Sequence, residues 1–239
     1  MKATPRPTKG RSNLETRNSQ LDMQLGIPDN LPQGLRQVIR ESGLSYDTYV
    51  RAITASALRD LCIWTQADLE RLLLTAKQHS LNPMNREIFM VESGPESPPL
   101  IVVGVDGWSK IMNRHPHFSG MQFQESAETL GGIPIWMECE IYRRDRVVPL
   151  KVREYFDEAR SDHMAWMTHP RRMLRHKCMV QCARIAFGLS GIYELDEALR
   201  INMIAHKKDR SVGKKHRTQP VGAEALSNAL EKESHRQLG

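Results

Sequence analysis

A chain of 239 residues, 40% of them hydrophobic, is long enough for one substantial core with tails. No apolar run reaches the roughly 18 residues of a membrane span, and the polar start MKATPRPTKGRSNLETRNSQ has no apolar centre, so neither a secretory leader nor an anchor is expected and the expected location is the cytoplasm. The net charge of +6 favours a polyanionic partner, and it is concentrated: between residues 141 and 185 eleven Lys/Arg face five Asp/Glu, which accounts for the whole excess.

Residues 1–32, rich in Pro, Asn, Ser, Thr and Arg, read as a disordered arm. Helical spacing follows at 35–41 and 47–59. Thr65-Gln66-Ala67-Asp68 reads as a capping box opening an amphipathic helix to His79, with Leu69, Leu72, Leu73 and Ala76 as its stripe. That stripe and the N-terminal helical segments are candidate subunit contacts; ordinary core packing is the alternative. The pattern then changes to strands at 86–92 and 100–105, around the loop SGPESPP. Asp106 is placed to cap a short helix, 107–114, with Trp108, Ile111 and Met112 inward. Further strands are expected at 118–124 and 135–144, and Val147–Val152 is expected to pair back through the Asp145-Arg146 turn. Between Trp136 and Arg143 a period of two puts Trp136, Glu138, Glu140 and Tyr142 on one face and Met137, Cys139, Ile141 and Arg143 on the other. A long helix from Pro170 to about Leu189, a shorter one over 195–206, a basic linker over 207–219 and a last short helix complete the chain. The fold class expected is α+β: a small, mainly antiparallel sheet with packed helices and one long basic-tipped helix near 170–189.

Enzyme motifs are missing from the sequence. There is no GxxxxGK[ST] phosphate loop, no HExxH and no zinc-finger spacing. Cys178 and Cys182 share a helical face near His176 but have no second ligand pair, so buried thiols are the simpler reading. Asp106, Glu138 and Glu140 are the best candidates for a Mg2+-dependent nuclease, the rival function; pairing of the glutamates with arginines across the sheet is the simpler account. No resident metal is expected, and Mg2+ enters at most as a modulator.

The start of the long helix is the informative feature. After Pro170 at the first helical position come Arg171, Arg172, Arg175, His176 and Lys177. A helix N-terminus is already partly positive, so this crowding is self-repulsive unless an anion sits there. At 100° per residue, Arg171, Arg172, Arg175 and His176 span about 140° of arc and can face one phosphate backbone. A second basic element is Tyr142-Arg143-Arg144-Asp145-Arg146, whose Arg143 and Arg144 point to opposite faces. Trp108 and Trp136 are expected in the core, whereas Trp166 is left open as a base-stacking residue.

Six ordered blocks carry a resemblance. They are Leu81-Asn82-Pro83 with Arg86-Glu87-Ile88; Val103-Gly104-Val105-Asp106-Gly107-Trp108-Ser109; Ile141 to Arg146; His169 to Lys177; Gln181-Cys182-Ala183-Arg184; and Gly191-Ile192-Tyr193. The series, over roughly residues 50–205, resembles the RecT/Redβ family of phage single-strand DNA-annealing recombination proteins. The resemblance implies an ATP-independent, non-enzymatic protein that binds single-stranded DNA and the annealed duplex. It implies rings or helical filaments, and as partners a 5′→3′ exonuclease and a host single-strand-binding protein. By motif match, the DNA-binding positions are Arg86, Arg144, Arg172, Arg175 and Lys177, then Arg143, Arg146, Arg171 and Arg184. Residues 33–206 would then be the DNA-binding, oligomerising domain. The chain is shorter than the family pattern between Asp157 and Trp166 and after His206, so contacts made there do not transfer.

Overall fold

The computed structural model describes residues 9–94 and 97–204, the side chains of 9–13 excepted. The expected linker and last helix at 207–239 lie outside the described residues.

Three helices open the fold: α1 (Lys9–Leu25), α2 (Gln33–Ser42) and α3 (Tyr46–Ser56). The first falls within the stretch expected to be a disordered arm. It carries no apolar stripe to announce it; what ties it down is Asp22, 4% exposed, which accepts from Arg40 at 3.0 Å and from Arg36 at 3.4 Å on α2. Helix α4 (Gln66–His79) begins at the expected capping box, with Thr65 accepting from the Asp68 amide and the Asp68 carboxylate accepting from the Thr65 amide. Its stripe of Leu69, Leu72, Leu73 and Ala76 is buried in the same hydrophobic core as Leu35, Ile39 and Ile53. The stripe therefore has the core role rather than a subunit-contact role.

A two-stranded antiparallel sheet follows, β1 (Ile88–Val91) with β2 (Leu100–Val103), Ile88 opposite Val103. Its free edge is met by Tyr193, which exchanges backbone hydrogen bonds with Val103 (2.8 Å) and Ile101 (3.1 Å). This gives the Gly191-Ile192-Tyr193 block, far down the chain, a structural place at the edge of β2. Helix α5 (Val105–Arg114) starts two residues sooner than expected. Gly104 is its N-cap and Asp106 lies inside the first turn, so Asp106 is not the cap. Gly107 has a steric reason: a Cβ there would lie 2.2 Å from the Glu87 carbonyl oxygen and 2.7 Å from Val103 Cγ1. Trp108, Ile111 and Met112 point inward as the spacing indicated.

The second sheet has the order β3 (Phe118–Glu125), β6 (Trp136–Arg143), β7 (Leu150–Tyr155), all antiparallel. Between β3 and β6 a small hairpin, β4 (Thr129–Leu130) with β5 (Ile133–Pro134), turns on Gly131 and Gly132 at φ 59° and 81°. The β6–β7 connection is longer than expected: pairing resumes only at Leu150, opposite Ile141. Pro149 has no amide to donate to a ladder, and Val147 and Val148 stand out in solvent, 101% and 72% exposed. Two short helices, α6 (Phe156–Ala159) and α7 (Met164–Thr168), lead to α8 (Pro170–Phe187), and a last helix over 195–204, α9, reaches the end of the described chain.

Helix α8 lies across one face of β6 and β7. Two buried thiols permit the close approach. Cys178 Sγ donates to the carbonyls of Met137 (3.2 Å) and Val152 (3.1 Å), and Cys182 Sγ to those of Cys139 (3.3 Å) and Leu150 (3.5 Å). Burial pushes the Cys178 thiol up to about 12, so it stays protonated as a donor. The opposite face of the sheet is a polar ladder. Glu138 pairs with Arg153 at 3.0 Å, and Glu140 pairs with Lys151 while also accepting from Gln122 and Tyr142. The α+β class is thus realised, and among the described residues no helix is long and apolar enough to cross a membrane.

Candidate nucleic-acid interface

The first turn of α8 is built to be electropositive. Pro170 occupies the first helical position, the His169 side chain at the N-cap makes no hydrogen bond to the helix amides, and the turn has no acid. The leading amides are thus left to an outside acceptor. Arg172 is exposed, with no hydrogen-bond or ion partner among the described residues. Arg175, also exposed, stands with its guanidinium carbon 6.0 Å from the centre of the Phe123 ring on β3. Arg171 reaches Glu125, the last residue of β3, at 2.6 Å, with both side chains about half in solvent (53% and 41%). Such a pair is weak in water and exchangeable for phosphate. One turn along, burial, reinforced by the Arg172 and Arg175 charges, holds the His176 imidazole below its ordinary range, with Asp106 opposing.

Two walls flank this start. Helix α5 and strand β3 leave a common junction at 115–118, where His115 and Phe118 both meet Phe187, at 4.4 Å and 6.1 Å between ring centres. Near that junction α8 is covered, with Met179, Ala183 and Ala186 buried. Toward Pro170 the cover ends, so Arg171, Arg172 and Arg175 lie in the open mouth. Phe123 and Glu125 complete this mouth and were not singled out in the sequence. Their strand periodicity was visible, but their neighbours on α8 are some fifty residues away.

The remaining sequence-nominated cations sit elsewhere. Lys177 pairs with Glu194 and lies 3.8 Å from Asp196, with only 12% of its side chain exposed. Arg184 pairs with Glu197 at 2.7 Å, donates to the Ile192 carbonyl at 2.6 Å and faces the Trp108 ring. Arg86 pairs with Asp60 at 2.6 Å, donates to the Ser56 carbonyl at 2.6 Å and lies over Phe89. Arg143 bonds Asp145 and the Ala186 carbonyl. Arg144 and Arg146 are exposed in the β6–β7 turn, with no ion partner among the described residues, but at the end of the sheet away from Pro170. The structure therefore gathers Arg171, Arg172 and Arg175, and places the other six apart from them.

The acids nominated for a nuclease are not brought together. Glu138 and Glu140 are on the polar sheet face with their cross-strand cations, whereas Asp106 faces His176 from α5. Among the described residues, no three His, Cys, Asp or Glu form a group that could hold a metal ion. Trp166 is 4% exposed, donates from Nε1 to Asp196 at 3.0 Å and contacts Phe156, so its ring is not open for stacking.

The order of these blocks and the basic helix start agree with what similarity to known proteins shows. Residues 47–212 match the model described as the RecT family. Over 198 residues the chain is 36% identical to "Recombination protein bet" of Escherichia phage lambda, an alignment covering 79% of this chain and 67% of that protein. The family match spans α3 to beyond α9 and includes each of the six sequence blocks, so the chain belongs to the RecT family.

Proposed function

We propose that this protein binds single-stranded DNA and anneals complementary strands in phage-type homologous recombination, without ATP and as an oligomer. The carrying observation is the open, uncapped start of α8 with Arg171, Arg172 and Arg175, in a chain of the RecT family. Annealing needs affinity without base readout, which phosphate contacts give, and it needs the charge of two backbones neutralised. An arginine fork at helix amides serves both. Arg144 and Arg146 are the next most available cations, exposed at the far end of the same sheet. In this reading Arg86, Arg143, Lys177 and Arg184 act on DNA only by holding the fold.

The test mixes two complementary fluorescent oligonucleotides with the protein, without nucleotide, at low salt. Duplex should form faster than in the protein-free control. Strict dependence on ATP, or cleavage of the strands on adding Mg2+, would overturn the reading. An exonuclease and a single-strand-binding protein are the proposed partners, and pull-downs of the full chain against each would test them.

A further inference from the structure

The first turn of α8 has no acid of its own, but the fold brings one to it from β3. In the ladder Phe123 and Glu125 stand opposite Cys139 and Met137 of β6. Residues directly opposite share a face of the sheet. Cys139 and Met137 are buried under α8, so Phe123 and Glu125 lie on the α8 side. Phe123 packs against the core, with the Arg175 guanidinium carbon 6.0 Å from its ring centre. Two residues on, the Glu125 carboxylate meets Arg171 at 2.6 Å. The strand end is anchored, because Ser126 is buried and its amide donates to the Trp136 carbonyl at 3.1 Å. Glu125 is thus placed beside the helix start by the sheet and not by a loose loop. The three arginines are therefore unequal. Arg171 has an anion beside it in the free protein, whereas Arg172 and Arg175 have no ion partner among the described residues.

We propose that Glu125 is a built-in competitor of phosphate, which occupies Arg171 while the clamp is empty and weakens the clamp's hold on a bound strand. The inference rests on the proposed single-strand binding at the start of α8 and names a regulator of that site. Carboxylate and phosphate compete for the same guanidinium fork. The Arg171–Glu125 pair lies about half in solvent, so it opens at small cost. Once a phosphate takes Arg171, the freed carboxylate faces a DNA backbone of like charge, which is unfavourable. Both effects oppose the Arg171 contact and leave Arg172 and Arg175 unopposed. In the empty clamp the same carboxylate relieves the repulsion among arginines at a positive helix end. Such a brake suits annealing. A strand has to be held along its backbone, yet it has to shift register until its complement is aligned. Three unopposed arginines would hold each phosphate longer.

A double-mutant cycle of full-length proteins tests it: wild type, Glu125→Gln, Arg171→Ala and the two changes together. Each is titrated with a fluorescent thymidine homopolymer, and release is followed after adding excess unlabelled strand. Glu125→Gln should bind about two- to fivefold tighter than wild type, the strength of an exposed pair, and release the strand more slowly. Arg171→Ala should cost little affinity in the wild-type background and clearly more beside Glu125→Gln, where Arg171 is free for phosphate. Glu15→Gln on α1, exposed and outside the arginine cluster, makes the same change in net charge and should bind as wild type does. The inference is overturned if Glu125→Gln binds no tighter, if Glu15→Gln tightens binding equally, or if Arg171→Ala costs the same in both backgrounds. A Glu125→Gln protein that melts well below wild type would make the carboxylate structural and also overturns it. In each of these cases single-strand binding at α8 stands as long as Arg172→Ala weakens it. Wild type that binds no strand would instead overturn both readings together.

Discussion

The Arg143 guanidinium donates to the carbonyl of Ala186, so the end of β6 caps the last turn of α8. Two further bonds, at 2.9 and 2.6 Å, reach Asp145, and the Phe187 ring lies 5.6 Å away. Arg143 is the largest influence holding the Asp145 carboxyl down to about 2. The sheet and the basic helix are thus fixed to each other by a residue that is basic for a structural reason. Replacing Arg143 with Ala should lower the urea midpoint, since it removes the donor to a helix carbonyl and the partner of Asp145. The salt dependence of single-strand binding should not change. Full stability with a flatter salt dependence would instead put Arg143 on the DNA.

Lys177 and Glu194 form a pair with 12% and 11% of their side chains exposed. Desolvation raises the Glu194 carboxyl, and Lys177 works against that rise. Lys177→Met alone should therefore destabilise strongly, by about 3–5 kcal/mol, because a buried acid is left unpaired. Adding Glu194→Gln should recover most of the loss. A denaturation cycle measures this, and additive losses would contradict the pairing.

Alanine normally improves a helix over glycine by about 1 kcal/mol. At position 107 the sign should reverse, because the new Cβ meets backbone at 2.2 Å. Gly107→Ala should lower the melting temperature, whereas the same change at a solvent-facing helical position would not.

The Glu140 carboxyl is held down to about 2 from an ordinary 4.5, chiefly by hydrogen bonds from Lys151, Tyr142 and Gln122. A carboxyl lowered in the folded state adds stability that is complete above its ordinary value and is lost as the pH falls toward the folded one. The wild-type advantage over Glu140→Gln should hold near pH 6 and shrink between 4.5 and about 2. Thermal melts of both proteins across that range give the difference, from which titrations common to both cancel. A constant difference would contradict the assignment.

Local signals in the sequence carried far. The Thr65–Asp68 box, the inward Trp108, the two faces of β6 and the proline start of α8 are set by neighbours within a few residues, and each was legible. Helix α1 was not, since it has no apolar stripe and is held by Asp22 on Arg40, 18 residues away. The same limit applies at the site. The charges of Lys177, Arg184, Arg86 and Arg143 could be counted, but not their partners at Glu194, Glu197, Asp60 and Ala186, which only the tertiary fold brings near. Arg172 and Arg175 stand out because the fold supplies them with no acid.

The most direct test of the account is the salt dependence of single-strand binding for wild type, Arg172→Ala and Arg175→Ala. Neither arginine has an ion pair among the described residues, so stability without DNA should hold or rise slightly as repulsion at the helix start is relieved. Affinity should fall about equally for all sequences, and each substitution should flatten the log–log salt slope by roughly 0.7. A slope unchanged in both variants, at unchanged stability, would contradict a phosphate clamp at the start of α8.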